Sequence, residues 1–138
     1  MKFTQILFYS ILAGLAASLY GSSTFTPAQA RQAAASEMLQ PGSNDIAIFT
    51  KGAICGSCGV GIRILLSKID GVDKERYSKG VLLDVHNQLT LVAFKPDVSP
   101  DMEAIFQAVY DAGYDPAHYY RRKGDAVVLV DFNFTPED

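Results

Sequence analysis

The chain has 138 residues, a formal net charge of −3, and 49% hydrophobic side chains. That is enough for one domain with a modest core. Twelve basic residues face fifteen acidic ones, and the densest basic run is the triplet Arg121-Arg122-Lys123. This balance argues against nucleic-acid binding, which relies on neutralising phosphates.

The N-terminus reads as an export signal. Lys2 precedes an uncharged apolar run from Ile6 to Tyr20, and Ala28-Gln29-Ala30 offers a small-x-small cleavage site. The run is short for a membrane span, which takes about 20 residues. Residues 1–30 are therefore expected to be a signal peptide, cleaved near Ala30, and the protein to be periplasmic or otherwise exported. Taking thirty residues from 138 leaves 108, with a charge of −4 once Lys2 is gone.

Residues 31–44 contain Ala33-Ala34-Ala35 and Gln40-Pro41-Gly42-Ser43-Asn44, and read as a linker with at most a short helical turn. Asp45 to Lys51 alternates, with Ile46, Ile48 and Thr50 on one side, and predicts a strand. From Gly59 the period changes. Ile62, Leu65, Leu66 and Ile69 lie at i, i+3, i+4 and i+7, on one face of a helix that Asp70-Gly71 stops. A polar connection over 73–80 leads to a strand with Val81, Leu83 and Val85. Asn87-Gln88 marks a hairpin turn, and a third strand covers Leu89 to Phe94.

Ser99 and Pro100 are expected as N-cap and first position of a second helix, with Met102, Ile105, Phe106 and Val109 on its apolar face. Gly113 ends it. Ala117 to Arg122 predicts a fourth strand, and Val128, Val130, Phe132 and Phe134 alternate once more. The order strand, helix, strand, strand, helix, strand predicts an α+β, ferredoxin-like βαββαβ fold. Two helices would cover one face of a four-stranded antiparallel sheet and leave the other wet, with an added C-terminal strand allowed for.

The chain's two cysteines, Cys55 and Cys58, fall at the expected turn from first strand to first helix. Two thiols with two residues between them can grip one soft ion or close as a disulfide. A helix N-terminus favours thiolate, the form that binds metal and attacks disulfides. A structural staple is the weaker reading, because so small a loop gains little entropy from closure. Zinc would need four ligands, and His86 and His118 lack finger-like spacing. Both histidines are better read as surface or packed imidazoles, and Met38 and Met102 as packing residues rather than soft ligands. Tyr110, Tyr119 and Tyr120 as a base-stacking platform lack the basic charge that RNA binding needs. No Ser-His-Asp set, carboxylate pair or phosphate loop suggests an enzyme.

The landmarks Gly52-x-x-Cys55-x-x-Cys58, Ile69-Asp70-Gly71-Val72, the strand Leu89-Thr90-Leu91-Val92-Ala93-Phe94, and Ala112-Gly113-Tyr114 together resemble the heavy-metal-associated domain family. That family includes copper chaperones, the amino-terminal domains of metal-pumping ATPases and the periplasmic mercury-binding protein. The resemblance covers residues 45–122 and leaves 123–138 as an extension, either an added edge strand or a partner-facing segment. It implies that Cys55 and Cys58 bind one soft ion, Cu(I) or Hg(II), and hand it to a metal-transporting membrane protein or another metal-binding domain. It further implies that Gly52, Gly56, Ser57 and Tyr114 support the loop of a monomeric carrier. Ala53 and Ile54 depart from the family's usual Met followed by Thr or His. The alternative from another class is a thiol-disulfide oxidoreductase. Its thioredoxin-like form usually has Trp before the first cysteine and Pro between the two, where this chain has Ile54 and Gly56-Ser57.

Overall fold

The computed structural model describes residues 24–57 and 59–137. Among them are three helices and five strands: α1 (Pro27–Met38), β1 (Ile46–Lys51), α2 (Gly59–Leu66), β2 (Val81–Asp84), β3 (Leu89–Val92), α3 (Met102–Asp111), β4 (Asp115–Lys123) and β5 (Ala126–Asp131). The strands form one antiparallel sheet in the order β2-β3-β1-β4-β5, so the fold is α+β. Residues 1–23 of the expected signal peptide (residues 1–30), Cys58 and Asp138 lie outside the described residues. No described helix is long and apolar enough to cross a membrane.

Strand pleating sends alternate side chains to opposite faces. From β1, Ile46 and Ile48 enter the larger core with Ile62 and Leu66 of α2, Ile105, Phe106 and Val109 of α3, and Tyr119 of β4. Thr50, on the same face and fully buried, settles its hydroxyl against that of Thr90 at 3.0 Å. The helical spacing expected for α2 and α3 is what places these residues inward.

The opposite face is not wet. Helix α1 packs on it, burying Ala35 and Leu39 against Ala47, Leu89, Leu91 and Tyr120. Residues 31–44, expected as a linker, thus begin with most of a seated helix, and two of its neighbours hold it by side chain to backbone bonds. Arg122 donates from Nε to the Leu39 carbonyl at 2.8 Å, and Gln32 donates to the Val127 carbonyl at 2.8 Å. Arg122, of the basic triplet, covers otherwise unpaired carbonyls at the C-terminus of α1.

Two further boundaries differ from expectation. Helix α3 is capped by Asp101, whose side chain accepts from the Ala104 N–H at 3.2 Å, and Ser99 and Pro100 precede it. The C-terminal extension is the added strand β5 followed by a tail over α3. Phe132 and Phe134 stack near Phe106, with ring centroids 4.8 and 5.8 Å apart, and Gln107 exchanges two hydrogen bonds with the Glu137 backbone. The extension therefore completes the larger core.

Candidate functional site

The cysteine loop joins β1 to α2 at one end of the sheet. Its geometry starts with Gly52, where φ is +89°, a left-handed conformation that lets the chain leave the strand sharply. The Gly52 N–H donates to Gln88 Oε1 at 2.9 Å, and the Thr50 N–H donates to the Gln88 carbonyl at 2.8 Å. The β2–β3 turn thus braces the start of the loop. That turn is held in its own right by Asp84, which accepts from the N–H groups of His86 and Asn87.

Ala53 then turns inward and is 3% exposed, part of the larger core, while Ile54 turns outward at 69%. Cys55, Gly56 and Ser57 are exposed, and a side chain added at Gly56 would meet open space. The Ser57 hydroxyl lies 3.5 Å from Cys55 Sγ. Cys55 is disulfide-bonded. At the far side of the loop Gly59 is buried so closely against Leu83 that no Cβ fits without moving that side chain.

Tyr114 reaches the loop by a local rule. Gly113, at φ +90°, ends α3 with its N–H on the Tyr110 carbonyl, and the Tyr114 N–H bonds the Val109 carbonyl. This paired closure is a Schellman motif. It sets the Tyr114 ring beside Gly52, where Cδ1 would lie 3.7 Å from an added Cβ. Gly52→Ala is therefore expected to lose about 1–2 kcal/mol through backbone strain, with no clash. Urea denaturation measures it, and an unchanged midpoint would refute the strain argument.

The structure brings Gly52, Cys55, Gly56, Ser57 and Tyr114 to this one end. Cys58 lies outside the described residues. His86 is exposed in the β2–β3 turn, and His118 is half-buried on β4 against Phe49. Met102 packs on the larger core and Met38 on the smaller. Tyr119 and Tyr120 are buried on opposite faces of the sheet and form no common platform. Among the described residues no three His, Cys, Asp or Glu side chains gather to hold a metal ion.

His118 belongs to a cluster that the sequence did not single out. Its Nε2 is 3.1 Å from the Tyr120 hydroxyl, its ring packs on Phe49, and the Arg31 guanidinium stands 3.5 Å over Phe49. Burial, then the charge of Arg31, push the imidazole below its ordinary 6.5; Asp131 pulls the other way, and Lys51 adds the least, downward. The unfolded chain then binds the proton more readily. The His118 contribution is complete above pH 6.5 and is lost as pH falls toward its lowered folded value. Stability is expected to decline over that interval, and His118→Gln to flatten the decline in thermal melts.

Compared with models of known protein families and with curated proteins, the sequence gives no match.

Proposed function

We propose that this chain is an exported carrier of one soft ion, Cu(I) or Hg(II), bound by Cys55 and Cys58 and passed on by thiolate exchange. The finer fold is then the ferredoxin-like arrangement, with α1 and β5 added to a βαββαβ unit, as in the heavy-metal-associated family. The observation that carries the reading is the loop itself. Cys55 stands exposed on a braced turn, and the space over Gly56 is open. Thiolates prefer polarisable ions, while hard cations prefer oxygen ligands.

Transfer follows from the exposure. A thiolate of the partner approaches over Gly56 and attacks the bound ion, giving a three-coordinate intermediate. One of this chain's sulfurs then leaves, and the second follows when the partner's second ligand closes. Gly52 and Tyr114 hold the loop still, and the partner is a metal-transporting membrane protein or another metal-binding domain. The protein acts as a monomer and catalyses no covalent change in its cargo.

One observation favours a second reading. Cys55 is in a disulfide, the product state of a thiol-disulfide oxidoreductase. Disulfide sulfurs are not thiolates, so a carrier must be reduced before it loads. Anaerobic titration separates the two. The reduced protein is expected to bind one equivalent of Cu(I) or Hg(II), and the oxidised protein none. No stoichiometric binding, together with rapid reduction of a disulfide substrate, would establish the oxidoreductase.

A further inference from the structure

We propose that the first half of α1 is a proton-released strap. Protonation of His118 lifts Arg31 from the sheet and loosens the β2–β3 turn that braces the cysteine loop. The device goes beyond the carrier reading and is independent of any bound ion.

Helix α1 is fastened differently at its two ends. Its buried apolar contacts, Ala35 and the flanking Leu39, lie toward the C-terminal end, where Arg122 also reaches the Ser36 and Leu39 carbonyls. The first half has no buried residue and is held by polar groups. Gln32 bonds the Val127 carbonyl. Arg31 donates from Nε to the Asn87 carbonyl at 3.2 Å and lays its guanidinium 3.5 Å over the Phe49 ring.

The Phe49 ring packs on His118, with centroids 5.2 Å apart. His118 Nε2 is 3.1 Å from the Tyr120 hydroxyl, and Arg31 comes within hydrogen-bonding reach of that same hydroxyl. Neutral imidazole can accept the phenol proton at Nε2, which leaves the phenol oxygen to Arg31. Protonated imidazole must instead donate to that oxygen. Two cations then converge on one hydroxyl, and the phenol proton loses its acceptor inside a buried site. Lys51 of β1 adds to the repulsion. Asp131, opposite His118 on β5, opposes it with less effect than Arg31. Arg31 is the member free to leave, because it is half-buried on a short helix, whereas Tyr120 is locked in the smaller core. A helical stretch this short does not persist once detached.

Release is transmitted to the cysteine loop through the turn. Asn87 precedes Gln88, which is held at φ +56° and accepts the Gly52 N–H on Oε1. Without Arg31, the Asn87 carbonyl loses its tie to α1 and the brace slackens.

Amide hydrogen exchange, corrected for the intrinsic rate and followed in metal-free protein from above pH 6.5 downward, tests this. The released state carries the ordinary pKa of 6.5 and the strapped state a lower one, so falling pH favours release. The opening constant should rise by up to about tenfold per pH unit between those two values. Residues 31–35 and the Gly52 amide are expected to lose protection over that interval while α3 keeps its own. His118→Gln is expected to abolish the response, and Arg31→Gln to leave residues 32–35 open at every pH with α3 still protected. A pH-independent α1, a parallel loss in α3, or a wild-type response in His118→Gln would overturn the strap. A steady Gly52 amide while α1 opens would overturn its link to the loop. Failure to bind metal would leave these rates untouched, so the two readings fail separately.

Discussion

Cys55→Ser is expected to weaken binding of Cu(I) or Hg(II) to the reduced protein by at least about a hundredfold. Structural zinc sites release about 10–16 kcal/mol over four ligands, which assigns on the order of 2.5–4 kcal/mol to each ligand. Every 1.4 kcal/mol is tenfold in affinity, so losing one of two sulfurs removes roughly two to three decades. A hydroxyl is a hard donor and does not recover this for a soft ion. The fold should be indifferent, since Cys55 is exposed and the neighbouring Ala53 supplies the loop's buried contact. Anaerobic competition against a chromophoric chelator gives the affinity, and circular dichroism checks the fold. Cys58→Ser should behave alike. Retention of full affinity in either variant would end the carrier reading.

Asp45→Ala is expected to destabilise the protein by about 3 kcal/mol, at the lower edge of the range for breaking a buried ion pair. Its side chain is fully buried, and Arg76 grips it with two bonds of 2.9 and 2.7 Å. Asp45 Oδ1 also accepts the Phe94 N–H at 3.1 Å. Removing the carboxylate strands a backbone donor and the guanidinium of an arginine whose side chain is only 28% exposed. The partial exposure of Arg76 lets water take up some of that charge, which is why the figure sits low. A domain of this size has about 5–15 kcal/mol in total, so the urea midpoint should move clearly. Asp45→Asn keeps the acceptor and the volume and should lose less. A loss below about 1 kcal/mol for Asp45→Ala would mean that the pair is solvated.

The amphipathic helices α2 and α3 were readable because their large apolar residues recur at helical spacing. The cysteine loop was readable because glycine, thiol and small residues cluster between two clear patterns. Helix α1 was not, because its buried contacts come from Ala35 and the flanking Leu39. Residues so small or so few leave no apolar stripe to detect. Yet a second covered face was signalled elsewhere. Ile46-Ala47-Ile48-Phe49 and Leu89-Thr90-Leu91-Val92 carry apolar residues on both parities, which is how strands covered on both sides read. The cap of α3 was misplaced because Ser99 and Asp101 are both competent caps, and only the geometry chooses Asp101. Gln88 bracing Gly52, and Arg31 over Phe49, join residues distant in sequence, which no local pattern encodes.

The seating of α1 also orders events in time. Its bonds from Gln32 to Val127 and from Arg122 back to Ser36 join residues 95 and 86 positions apart. Such non-local closure comes late and slows folding. The first described helix is thus among the last elements to dock, and until β5 is in place its seat is incomplete. A chain that closes in this way leaves one face of its sheet uncovered until the C-terminal strand is in place.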